Sequence, residues 1–147
     1  MPIDADTSAI VCAIAEVESG CDATAIGDGG RAISAYQIHE AFYSDCQQFI
    51  RHRPELGLNL GTQWRDIAAD PDKARDCCAA GVLLIKGWLE AHGIVPTPDK
   101  IYAAYTQGRQ SFADCGFDYN APGFPKFKRG KCVRVAQLVQ EQDKANQ

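Results

Sequence analysis

The 147-residue chain has no run of apolar residues approaching the roughly 18 that a membrane span requires. It also lacks an excess of positive charge. Fifteen Lys and Arg against nineteen Asp and Glu leave it at −4, which argues against a protein held to nucleic acid by a general basic field. There is no C-x-x-C and no histidine at zinc-ligand spacing, so neither a metal site nor a cofactor is expected. His39, His52 and His92 read as surface or packing residues. Neither a phosphate-cradling glycine loop nor a Ser-His-Asp order is present. The first six residues carry Asp4 and Asp6 and no basic region before an apolar stretch, so no signal peptide is expected. One domain, residues 1–147, is expected at this length, with a core that needs no obligatory staple.

What is present points to a globular protein, with 46% hydrophobic and 23% charged residues. Seven cysteines are many for a cytosolic chain, and an odd number leaves at least one unpaired within it. Some disulfides after export are compatible with this count, but spacing does not give their connectivity; adjacent Cys77 and Cys78 cannot pair with each other without strain. Charge is unevenly placed. Residues 126–134 hold Lys126, Lys128, Arg129, Lys131 and Arg134 and no acid. This stretch reads as a solvated surface loop, or as a patch for an anionic polymer such as bacterial cell wall.

Periodicity predicts a mainly α protein. Ile10, Ala13, Ile14 and Val17 share one face of a helix over residues 7–19, with Asp6, Thr7 or Ser8 as cap and Gly20 as stop. Residues 22–34, with Gly27-Asp28-Gly29-Gly30, read as a loop or small hairpin. Helical character returns over residues 36–49, and a short helix is expected over 64–69. Asp70-Pro71 opens a long apolar helix to about His92, the expected buried centre of the molecule. Further helices are predicted over 99–106 and 131–143, the last with Val133, Ala136, Leu138 and Val139 toward the core.

Glu18 stands at the C-terminal end of the first helix, four residues after Ile14 on the edge of the apolar stripe; Glu16 should face solvent. Partial desolvation and the negative end of the helix dipole both favour the protonated carboxyl. A neutral carboxylic acid is what a glycosidase uses to protonate a leaving oxygen. Taken alone, Glu18 reads far more simply as a helix-end surface glutamate.

The surrounding string extends this reading. Glu18-Ser19-Gly20, then Gly27-Asp28-Gly29-Gly30-Arg31-Ala32, then Tyr36-Gln37-Ile38 resembles the N-terminal motif of lytic transglycosylases and related lysozymes. Residues 16–21 with 36–46 look still more like the invertebrate-type lysozymes and their bacterial and phage relatives, sharing Cys21 and Cys46. Residues 101–108, Ile-Tyr-Ala-Ala-Tyr-Thr-Gln-Gly, resemble the transglycosylases' Ala-Ala-Tyr-Asn-Ala-Gly segment. The motifs cover about residues 8–110, ahead of a C-terminal basic loop and helix over 120–147. The resemblance implies a lysozyme-like fold with a central buried helix and a small glycine-rich hairpin. It also implies an enzyme, a hydrolase or lytic transglycosylase, cutting the MurNAc-GlcNAc β-1,4 bond of peptidoglycan. Glu18 matches the general acid, and Ser19 the residue that orients it by hydrogen bonding. Tyr36, Gln37, Tyr105 and Gln107 fall at substrate-binding positions. Asp28 is the candidate second carboxylate, one residue from the invertebrate-type aspartate; a plain turn residue is the other reading, and Asp45 is more simply a surface position.

Three positions depart from the pattern. Ser34 stands where the family has a cleft glycine, and Thr106 and Gln107 replace the usual Asn-Ala. They leave a second reading open, a lysozyme-like glycan-binding or virion structural protein that does not cut. The expected partners are peptidoglycan strands and, as an alternative, a virion or other protein assembly. Nucleic acid and membrane insertion are not expected. Virion association fits, as does synthesis in the cytoplasm followed by release to the periplasm or cell wall.

Overall fold

The computed structural model describes residues 3–146. Among them are seven α-helices and one two-stranded sheet, so the protein is mainly α. No described helix is long and apolar enough to cross a membrane. The chain divides into two compact units, Met1–Leu84 and Ile85–Gln147, with one long helix running through the division.

The first unit opens with α1 (Ala5–Ser19). Its cap is Asp4, whose carboxylate accepts the Thr7 amide at 2.7 Å, so the helix starts two residues before the predicted onset and none of the three expected caps is used. Ile10, Ala13 and Ile14 are buried as the periodicity requires. Gly20 closes α1 in the left-handed conformation (φ 66°), donating to the Ala15 and Glu16 carbonyls. A hairpin follows, β1 (Ile26–Gly27) against β2 (Ala32–Ile33), antiparallel with Ile26 opposite Ile33 and Gly27 opposite Ala32. The predicted helix over 36–49 begins later, as α2 (Glu40–Arg51). Residues 34–37 instead form a tight turn in which Ser34 (φ 74°) and Gln37 (φ 51°) are both left-handed, a conformation no helix accepts. Trp64 donates its indole N–H to the Ile38 carbonyl at 3.0 Å, fixing the short α3 (Asp66–Ala69) region to the end of this turn.

Helix α4 (Pro71–Ala91) matches the long apolar pattern, and the Asp70 carboxylate accepts the Asp72 amide at its start. Ala74, Cys77, Cys78, Ala79, Ala80 and Val82 are buried along it. Gly81 permits the close approach of α2: a Cβ there would lie 2.5 Å from the Phe42 ring.

The second unit takes the last turns of α4, then α5 (Pro98–Gln107), α6 (Arg109–Asp114) and α7 (Lys126–Ala145). Its core holds Tyr102, Phe112, Phe124 and Val135, all essentially inaccessible. The basic stretch is helix rather than loop, forming the first turns of α7. Lys128 reaches back to donate to the Thr106 carbonyl and the Gln107 amide oxygen, both at 2.9 Å, and Arg129 donates to the Ala121 carbonyl at 2.8 Å. Lys128 thereby places a cation at the negative end of α5. Val133, expected in the core, is 44% exposed; the buried stripe is Cys132, Val135, Leu138 and Val139.

Asp99 accepts the Tyr119 hydroxyl at 2.7 Å. Burial acts to raise the Asp99 carboxyl, but the hydrogen bonds it accepts outweigh burial and hold it below its ordinary value of 3.8. Between the folded and ordinary values the unfolded chain binds more protons. The contribution is therefore complete above about pH 4 and lost as the pH falls through the folded value. Urea melts across the acid range should show a shallower loss of stability for Asp99→Asn than for wild type. Parallel pH curves would contradict this role for Asp99.

Candidate functional site

The end of α1 is built by hydrogen bonds that follow from its sequence. Glu18 is half-buried and Glu16 exposed, as their angular separation requires. After Gly20 the Cys21 amide also returns to the Ala15 carbonyl, at 3.0 Å, with Cys21 itself left-handed (φ 64°). The Ser19 hydroxyl donates to the Ala35 carbonyl at 2.7 Å and accepts the Asp22 amide at 3.1 Å. One side chain therefore binds the end of α1 to the loop that carries Tyr36. Ser19→Ala removes the donor and leaves a part-buried carbonyl without its partner, at a cost of about 1–3 kcal/mol. Thermal unfolding should show it, and an unchanged midpoint would mean the clamp carries no stability.

The hairpin tip, Asp28–Gly30, is a tight turn in which Asp28 (φ 51°), Gly29 (φ 66°) and Gly30 (φ 94°) are all left-handed. Asp28 is 60% exposed, and its Oδ2 lies 2.8 Å from Nε2 of His39, the residue that begins α2. The pair links the hairpin tip to the second helix. A carboxylate so paired can orient an imidazole. The eleven-residue separation matches no helix or strand repeat, so the sequence alone makes His39 only a surface or packing residue.

Ser34 is buried and left-handed, a backbone that glycine adopts with less strain. Its Oγ accepts the Tyr36 amide at 3.2 Å, which helps hold the strained turn. The Gln37 side-chain amide folds back over the hairpin. Its Nε2 donates to the Ser34 carbonyl (3.0 Å) and the Ala25 carbonyl (3.3 Å). Gly27 leaves room for it, since a Cβ there would displace the Gln37 Oε1. Both Gln37 donors are thus used within the fold, and only its oxygen remains to meet a ligand.

Tyr36 is half-buried and lines a pocket of about 250 Å³ with Cys12, Cys21, Ser34 and Ala74. Burial, followed by the nearby Cys78 and Cys12 thiols, pushes its phenol up to about 12, against the opposing charge of Arg75. Tyr36 therefore keeps its proton and can act as a donor.

Tyr105 and Gln107 belong to the second unit. Tyr105 is half-buried on α5 and stacks on the inaccessible Tyr102, with centroids 6.3 Å apart and planes at 22°. Gln107 donates to the Ser111 hydroxyl at 3.0 Å and accepts from Lys128, so its amide joins α5, α6 and α7. Of the cysteines, Cys12 and Cys21 are exposed, while Cys46, Cys77, Cys78 and Cys132 are buried. Burial pushes the Cys132 thiol up to about 12.

The first unit thus carries Glu18 and Ser19 at the end of α1, Asp28 at the hairpin tip, and Tyr36 and Gln37 in the turn after β2. Compared with known protein families, curated proteins and solved structures, the chain matches none.

Proposed function

We propose that this protein is a lysozyme-like glycosidase that cleaves the MurNAc-GlcNAc β-1,4 bond of peptidoglycan, with Glu18 as general acid. The observation that carries the reading is the closed end of α1. A half-buried glutamate stands one residue before a serine clamp to Ala35 and ahead of a hairpin bearing Asp28. The Glu-Ser-Gly motif supplies the family resemblance, and the clamp supplies a physical reason for its serine.

In this reading Glu18 protonates the leaving oxygen as positive charge develops on the sugar ring. Asp28 is the second carboxylate, with His39 holding its orientation. Ser19 positions Glu18 through the backbone it fixes. Tyr36, in the same unit, offers an aromatic face to a sugar ring. Gln37 orders the hairpin and offers its oxygen as an acceptor. Addition of the protein to purified cell walls should lower their turbidity. Walls that stay turbid over a range of pH and salt would overturn the assignment.

One observation favours a second reading, a glycan-binding or virion structural module on the same scaffold. The amides of Gln37 and Gln107, both assigned to sugar, are bonded inside the protein. Such a module would sediment with walls and release no sugar.

A further inference from the structure

A second cavity in the first unit, about 510 Å³, is independent of the hairpin and its carboxylates. Its size falls within the range of about 300–1,000 Å³ typical of small-molecule sites. Val11, Leu56, Leu58 and Ala79 make its walls apolar, and the thiol-bearing Cys12 stands on its lining. Among the described residues, the only charged side chain on that lining is Arg75, exposed near the start of α4. Arg75 makes no hydrogen bond or ion pair with the described residues. Its neighbour Asp76 is turned to the Asn59 amide at 2.9 Å.

We infer that this cavity binds a small amphiphile carrying one acid group, with the apolar chain inside and the acid on Arg75. The walls gain by excluding water from an apolar chain. The planar guanidinium suits a carboxylate, to which it offers paired donors. Neither feature alone selects such a ligand. Together they favour an anionic amphiphile over a neutral or cationic one.

Cys12 and Cys21 provide an internal reporter. Cys12 lines both cavities, whereas Cys21 lines only the smaller one beside Tyr36. Alkylation of the full chain by iodoacetamide, followed residue by residue by mass spectrometry, can therefore locate the ligand. Sodium octanoate is the anionic probe and octan-1-ol the neutral one. Octanoate is expected to slow alkylation of Cys12 and leave Cys21 unchanged. Arg75→Gln should raise the octanoate concentration needed roughly ten-fold, the size of a charge-assisted hydrogen bond at an exposed rim, and leave octan-1-ol unaffected. Arg75 is exposed, so this variant leaves the core intact.

Equal protection by the acid and the alcohol, or an unchanged octanoate requirement in Arg75→Gln, would overturn the acid recognition. Alkylation of Cys12 at the same rate with and without octanoate would overturn the site. Protection by phosphatidylglycerol vesicles but not by octanoate would assign the acid to a membrane lipid, and so overturn the small-ligand assignment.

Discussion

Glu18→Gln is expected to slow cell-wall clearing by about 10²–10⁴-fold, the usual contribution of a positioned general acid. The amide keeps the shape and polarity of the carboxyl but cannot give up a proton to the leaving oxygen. Glu18 is half-buried at a helix end and outside the inaccessible core, so the thermal midpoint should stay close to wild type. Loss of activity with folding retained separates chemistry from structure. Glu16→Gln, two residues away and exposed, is the matching control and should clear walls normally. Equal clearing by wild type and Glu18→Gln would remove Glu18 from the reaction.

The largest effect on stability is expected at Phe112. Its side chain is fully inaccessible and meets Phe117 edge-on at 5.8 Å and Phe124 at 6.2 Å. Truncation to alanine removes both ring contacts and leaves a cavity, at a cost of about 3–5 kcal/mol. That is a large part of the about 5–15 kcal/mol by which an ordinary domain is stable. Phe127→Ala, at a ring 77% exposed on α7, should cost little. Chemical denaturation of the two variants tests the contrast, and hydrogen exchange should place the Phe112 effect in the second unit. Similar small losses at both positions would mean the aromatic cluster is not that unit's core.

These two residues show how differently the sequence exposes its structure. The stripe of Ile10, Ala13 and Ile14 and the run after Asp70 announce α1 and α4, because helices that bury a face repeat their apolar residues at helical spacing. Helix α6 gives no such signal. It is six residues long and buries only Phe112, too little for a period to emerge. The start of α2 was placed too early because Ser34 and Gln37 take left-handed φ values that propensity does not anticipate in either residue. Helix α7 was placed too late, since its first turns are held by Lys128 and Arg129 reaching back to backbone carbonyls rather than by an apolar stripe.

The site was legible in the same uneven way. Glu18 and Ser19 lie next to each other in a helix-ending motif, so their placement follows from local sequence alone. The Ser19 bond to Ala35 spans sixteen residues, and Asp28 finds His39 across eleven. Both depend on where the hairpin folds back. An amide suits sugar hydroxyls, so the sequence presents Gln37 as a ligand contact. Its donors instead meet the Ser34 and Ala25 carbonyls, partners that exist only once the turn has formed.

Mass spectrometry of the sugars released from purified walls tests the proposed activity most directly. The account predicts muropeptides cut at the MurNAc-GlcNAc bond by the wild-type protein, and none above background with Glu18→Gln. New reducing ends would mark hydrolysis with a second carboxylate, and 1,6-anhydro ends a lytic transglycosylase. Wild-type protein that sediments with the walls yet releases no sugar would contradict the account.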